Sequence, residues 1–393
     1  MSTEFLTADA CQYIIEPQDF WQKRVSVKHK DQAPRVVAAP EGGEAWSFEG
    51  GNWLRPLGLQ VAAGQAPIKD HGYSYSTIGK GTYDAKERLK AMATDGVEMA
   101  SIFPTFGMEI RSYTDVDLHI ECVRAYNDAI LEWAKAGDAK RLIVHAILPA
   151  TSMEAAQAEV TRITKLGGFH GVVSTGWPKG GMFPEVSEDP FYAQLAEAGL
   201  VLNLVRGGPV GPERMPAAAR KHIGSNAAGK VRVSEPTLEA LIVNSVVANP
   251  TALQFMAGGG VMDRTPRLRV SQLDNGSGWI ACSWEGMDWQ HRYSQFMKVY
   301  PNLKRRPSDY IQAQVKATVK NERNAIEARA DIGTKMLMFA STYPTATSTW
   351  PQSQAVIRNL LVGVPDSEKR MILAENFLEW YGVKAPREAA GVR

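Results

Sequence analysis

From residue 84 onward, apolar positions recur alternately at helical spacing and in short continuous runs. Residues 84–95 (DAKERLKAMATD) read as a helix capped by Asp84 and ended by Gly96, and the apolar run VEMASIF that follows stops at Pro104. The same alternation then repeats down the chain. Helices are expected near 117–136, 153–166, 190–198, 237–257, 279–299, 307–314 and 322–330, with strands at 141–148, GVVS, LVLNLV, RLRVSQL, ATVK and KMLMFAS. Helices at 353–361 and 366–380 close the chain. With an apolar stretch around 13–15 as the first strand, eight strands separated by helices predict an α/β fold, the (β/α)8 TIM barrel.

Two segments break the repeat. Residues 16–83 are rich in Gly, Pro and Trp, and residues 206–236 carry GGPVGPERMP and a basic stretch. In one barrel domain spanning 1–393 they follow strands one and five, so 16–83 is expected as an insertion or arm over the C-terminal mouth and 206–236 as a lid loop. Plain surface loops or dimer arms would produce the same composition.

Composition then removes several classes of partner. Lys plus Arg number 44 against 42 Asp plus Glu in 393 residues, so no global field calls for nucleic acid or an anionic membrane. No apolar run reaches the roughly 18 residues of a membrane span, and the N-terminus has no signal-peptide pattern. Cys11, Cys122 and Cys282 are scattered, without CxxC or Cys/His clustering, which points to a reducing, cytoplasmic setting. Nucleotide-binding GxGxxG and P-loop patterns and the GxSxG elbow are all missing.

Several blocks, in order, carry a likeness: IIEPQDFW, YDAKERLKAMATDGVEMASIFPT, RLIVHAILPATSMEAAQAEV, LGGFHGVV, TPRLRVSQLDNGSGWI, FASTYPTATSTWPQS and ILAENFLEWYGV. Together they resemble the amidohydrolase-related proteins grouped with aminocarboxymuconate-semialdehyde decarboxylase. The resemblance implies a (β/α)8 barrel with a divalent metal at its mouth, acting by hydrolysis or non-oxidative decarboxylation of small aromatic or unsaturated acids.

The ligands that the resemblance implies are replaced. Ahead of Glu16-Pro17 the chain reads Cys11-Gln12-Tyr13-Ile14-Ile15 where the family has histidines. Asn203 to Gly207 lacks the fifth-strand histidine, and Ser341-Thr342-Tyr343-Pro344-Thr345 lacks the acid and histidine of the eighth. The seven histidines (His29, His71, His119, His145, His170, His222, His291) form no i, i+2 or i, i+4 pair. The expectation is a chain with no cofactor; the alternative is Zn or Mn on unusual ligands such as Cys11 and Asp274.

Candidate chemistry concentrates at the strand ends. Tyr13, His145 and Asp274 are the candidate catalytic residues: a phenol able to donate, an imidazole on a strand, and a carboxylate after RLRVSQL. Arg206, Asn203, Trp177, Thr342 and Tyr343 are the candidate substrate-binding residues, with Arg206 offering a fork to an anion. Trp46, Trp53, Trp177 and Trp350 are expected as flat walls for an aromatic ligand. The expected function is metal-independent C–C cleavage, by decarboxylation or retro-aldol loss, of a small phenolic or aromatic acid whose ring hydroxyl takes up the released electrons. A metal-dependent hydrolase or decarboxylase, or a ligand-binding descendant, are the alternatives. The Trp-bearing segment 35–80 suggests apolar surface and hence a homodimer or higher homo-oligomer.

Overall fold

The structure is a computed structural model that describes residues 5–174, 176–179, 184–205, 251–294 and 303–386. Its first strand is β1 (Ala8–Ile14). The segment after it folds into a three-stranded antiparallel sheet, β2 (Arg35–Ala38), β3 (Glu44–Phe48) and β4 (Trp53–Pro56). The remaining strands are β5 (Met99–Pro104), β6 (Leu142–Val144), β7 (Ala146–Ile147), β8 (Gly171–Val173), β9 (Val201–Val205), β10 (Val270–Leu273), β11 (Val315–Val319) and β12 (Leu337–Phe339). All of these are parallel and buried, as strands covered on both faces must be.

Hydrogen-bonded ladders run β1-β5-β6 and β7-β8-β9-β10-β11-β12. Two joints complete the ring. At His145 one extended segment leaves its pairing with β5 as β6 and takes up pairing with β8 as β7. Beyond β12 the backbone returns to β1: the Thr342 N–H donates to the Cys11 carbonyl at 3.0 Å, and the Tyr13 N–H to the Tyr343 carbonyl at 2.7 Å. With β6 and β7 counted as one strand, the expected eight are present, in TIM-barrel order.

Asp9 fastens that seam. Its buried carboxylate accepts from the backbone N–H of Cys11 and Ser341, from Gln12 Nε2 and from Ser341 Oγ, a full set of donors for a charge removed from water. Glu16 fastens the next joint by accepting from the N–H groups of Thr105, Phe106 and Gly107 at 3.1, 3.0 and 2.8 Å, in the loop that leaves β5. Burial, only partly offset by those three donors, pushes its carboxyl up to about 7.

Helices alternate with the strands. Asp84 caps α1 (Ala85–Thr94) as expected, its carboxylate accepting from the Lys86 and Glu87 N–H groups. α2 (Val116–Ala136), α3 (Met153–Leu166) and α4 (Asp189–Glu197) follow. The expected helix at 322–330 is instead two short ones, Arg323–Glu327 and Arg329–Ile332. The last helix, Asn376–Tyr381, plugs the floor of the barrel, where Trp380 donates to Ser271 Oγ at 2.9 Å and the Tyr381 hydroxyl to Asn203 Oδ1 at 2.8 Å. Among the described residues no helix is long and apolar enough to cross a membrane.

The tryptophans of the first long segment are core rather than walls for a ligand. Trp46 has no exposed surface, donates its indole N–H to the Tyr75 hydroxyl at 3.0 Å and stands edge-on to Trp21 at 5.1 Å. Trp53 stacks on Phe48 at 4.5 Å, and Trp350 donates to the Ala91 carbonyl of α1 at 2.9 Å. In the same segment Leu59 and Ile68 are exposed. Residues 206–236 lie outside the described residues.

Candidate active site

Three of the sequence candidates meet at the C-terminal mouth. The Tyr13 hydroxyl, near the end of β1, donates to Asp274 Oδ2 at 2.6 Å, linking the first barrel strand to the sixth across the ring. Asp274 follows β10 directly, and its N–H donates to Thr318 Oγ1 of β11 at 2.9 Å. A cleft there is lined by Asp274, Thr318, Lys320, Glu322 and Thr342, that is, by the ends of the sixth, seventh and eighth barrel strands.

Backbone strain marks the same place. Among the described residues three other than glycine have φ in the left-handed region: Glu49 at 46°, Asp274 at 53° and Thr342 at 62°. Two of the three line this one cleft. For a β-branched residue such as Thr342 that conformation costs roughly 1–3 kcal/mol, and it persists only where the surroundings impose it, which happens preferentially at functional sites.

Lys320, the residue after β11's last turn into the mouth, supplies the cation. Its Nζ lies 3.5 Å from Thr342 Oγ1 and 3.4 Å from Thr347 Oγ1, and Thr345 Oγ1 lies 3.3 and 3.2 Å from those two hydroxyls. Glu322 Oε2 is occupied by the backbone N–H groups of Lys320 and Asn321, at 2.7 and 3.2 Å. Among the described residues no carboxylate forms an ion pair with Lys320. The sequence reading stopped at ATVK as a strand and passed over its last residue. The barrel rule that side chains at C-terminal strand ends face the substrate was the signal that would have found it.

The other candidates fall elsewhere. His145 is fully buried within the barrel, its Nε2 3.0 Å from Ser101 Oγ, its Nδ1 3.4 Å from Asn203 Nδ2, and its ring stacked on Phe103 at 4.5 Å. Burial holds its imidazole well below the usual histidine range, so it is neutral. Asn203 spends its amide on the Val172 and Val201 carbonyls and on the Tyr381 hydroxyl, which makes it a barrel-interior tie rather than a substrate contact. Tyr343 turns to the outer layer, with Arg88 of α1 4.9 Å over its ring and Trp350 at 5.2 Å, because strand alternation at the seam sends it opposite to Thr342. Trp177 is buried after β8 and does not line the cleft. Arg206 lies outside the described residues.

Comparison with known proteins supplies the family. The sequence matches the amidohydrolase family over residues 82–383. No curated protein matches it. Among solved structures, an amidohydrolase from Mycobacterium avium subsp. paratuberculosis K-10 superposes with a TM-score of 0.72 at 17% identity, covering 98% of this chain and 99% of that one. A 5-carboxyvanillate decarboxylase from Sphingomonas paucimobilis gives 0.66 at 16% identity, over 97% and 100% of the two chains. A dihydroxybenzoic acid decarboxylase from Polaromonas sp. JS666, solved with manganese and 2-nitroresorcinol, gives 0.63 at 17% identity, over 100% of both. These likenesses establish the TIM-barrel fold.

The manganese in that structure corrects the expectation of a chain with no cofactor, since the shared fold is one that holds a metal. The residues described here do not themselves compose such a site. Asp9 is saturated by four donors, Cys11 is buried within the seam, His145 is tied to Ser101 and Asn203, and Asp274 accepts from Tyr13. Among the described residues no three His, Cys, Asp or Glu side chains group so as to hold an ion.

Proposed function

We propose, on the premise that the chain belongs to the amidohydrolase family, that it is a carbon–carbon lyase releasing CO2 from a small hydroxylated aromatic acid. The observation that carries this reading is the Tyr13–Asp274 hydrogen bond, set beside Lys320 and the strained Thr342 in one cleft at the mouth. The decarboxylases that share the fold, named for 5-carboxyvanillate and dihydroxybenzoic acid, support the substrate class.

Replacing a ring carboxylate by hydrogen requires a proton at the carbon that bears it and a place for the electrons of the breaking bond. Asp274, steadied by the Tyr13 hydroxyl and by its own N–H bond to Thr318, carries the proton to that carbon. The C–C bond then breaks, its electron pair enters the ring, and CO2 leaves. One proton is consumed and regained from water, so charge and atoms balance. Tyr13 acts by fixing the carboxyl of Asp274 at 2.6 Å from its hydroxyl, which confines the donor to one geometry.

The test is purified protein, as isolated and with added Mn2+, incubated with a panel of hydroxybenzoic and methoxy-hydroxybenzoic acids while CO2 and the phenol product are measured. Matching amounts of phenol and CO2 from at least one acid are expected. Turnover confined to amides, esters or lactones would replace the lyase reading by a hydrolytic one.

A further inference from the structure

We infer that Lys320, with the Thr342, Thr345 and Thr347 hydroxyls, forms the subsite that holds the ring oxygen of the substrate as a phenolate, so that a free ring hydroxyl is what this site selects. The inference rests on the lyase reading and adds which group fixes the ring. The Lys320 Nζ lies 3.4–3.5 Å from two threonine hydroxyls, and the third threonine links those two. The hydroxyls accept from the ammonium through their lone pairs, and the two bonds among them use two of their three protons, so the group presents an ammonium and one O–H to an incoming anion.

The flanking charges decide which way a ligand sits. Lys320 is the one cationic side chain among the described residues that line the cleft, so an anionic oxygen is drawn to it. Two anions compete for that place, the departing carboxylate and the ring oxygen. Pairing Lys320 with the carboxylate would strengthen the ground state and weaken as neutral CO2 forms, which slows the step. A ring oxygen held as phenolate gives up charge to the ring as Asp274 protonates the carbon and regains it as the C–C bond breaks, so its pairing with Lys320 strengthens in the step that releases CO2. The second arrangement also leaves the carboxylate-bearing carbon to the Asp274 side of the cleft.

Strain at Thr342 fits the same role. With φ at 62° the backbone after β12 turns so that Thr342 Oγ1 reaches both Lys320 and Thr345, while its N–H stays bonded to Cys11. A residue relaxed into extended backbone would continue the strand and lose that direction.

The test uses 4-nitrophenol as a chromogenic probe, because its absorbance reports the phenolate fraction whether or not the protein releases CO2. Bound to the intact protein, the probe's apparent pKa should fall by about one unit or more relative to free probe, a tenfold or greater preference for phenolate. Lys320→Met should abolish the shift at unchanged Tm, and Lys320→Arg should keep most of it. Equal probe pKa in the intact protein and Lys320→Met, or no probe binding at all, overturns the inference even if hydroxybenzoic acids are decarboxylated. A Lys320-dependent shift without CO2 release from any acid would instead retain the phenolate subsite and overturn the lyase reading. With an active acid, the O-methyl analogue should lose at least tenfold in kcat/KM against the intact protein and little further against Lys320→Met.

Discussion

The interior of the barrel and its mouth are both polar, and they handle polarity in opposite ways. Below the mouth, Ser101, His145, Asn203, Ser271, Trp380 and Tyr381 are tied to one another through hydrogen bonds in relaxed strands. At the mouth, Asp274 and Thr342 sit in left-handed backbone, and Lys320 faces hydroxyls rather than a carboxylate. Satisfied polar groups stabilise and specify a fold. Strained and incompletely matched ones are what remains when a surface is shaped for something else. The contrast supports the reading that places function in the mouth, although His145 lies in the interior.

That division predicts which substitutions damage activity and which damage stability. The largest effect belongs to the mouth: Asp274→Asn should lower kcat by about 10²–10⁴, the range of a general acid, with Tm nearly unchanged. Loss of Tm instead would move Asp274 to the structural side. In the interior, Asn203→Ala should cost about 2–4 kcal/mol in urea unfolding, because the Tyr381 hydroxyl and two backbone carbonyls lose a partner in a dry core.

Glu16 and Asp95 should each add a pH-dependent contribution to stability, opposed below the ordinary histidine range by the buried His119 and His145, whose imidazoles are held down. Burial raises both carboxyls to about 7 in the folded protein, above their ordinary values of 4.5 and 3.8. At these two sites the folded state therefore binds protons that the unfolded chain has released, so their contribution is fully present at low pH and falls as pH rises toward 7, flattening above it. Glu16 alone should account for on the order of 3 kcal/mol of this fall by linkage. Thermal melts at pH 5 and pH 8 measure it, and Glu16→Gln should flatten the profile. The smallest effect is Thr342→Gly, which relieves left-handed strain and should cost no stability, changing it by about 1 kcal/mol or less, while kcat/KM falls.

The barrel was legible because buried parallel strands are written as uninterrupted apolar runs, from VEMASIF to KMLMFAS. The first strand was read only around residues 13–15 because Asp9 and Gln12 interrupt its apolar run. Asp9 is tolerated there through four donors that only the closed seam supplies. The antiparallel β2–β4 sheet was missed, its short strands hidden among glycines and prolines in 16–83. Tyr13 and Asp274 were each legible as strand-end groups, but their pairing spans 261 residues and exists only once the ring closes. That His145 and Asn203 lie in the barrel interior was not legible for a related reason, since position along a strand does not reveal depth within the barrel. Tyr343 differs from Thr342 by one step of alternation, which turns its ring toward Arg88.

The most direct test of the lyase reading is the reaction of an active hydroxylated aromatic acid in D2O, followed by NMR of the phenol product. One deuterium at the carbon that carried the carboxylate, formed by the intact protein and not by Asp274→Asn, is the result expected if Asp274 delivers the proton. Undiminished deuterated product from Asp274→Asn, or a product that keeps its carboxylate, would contradict it.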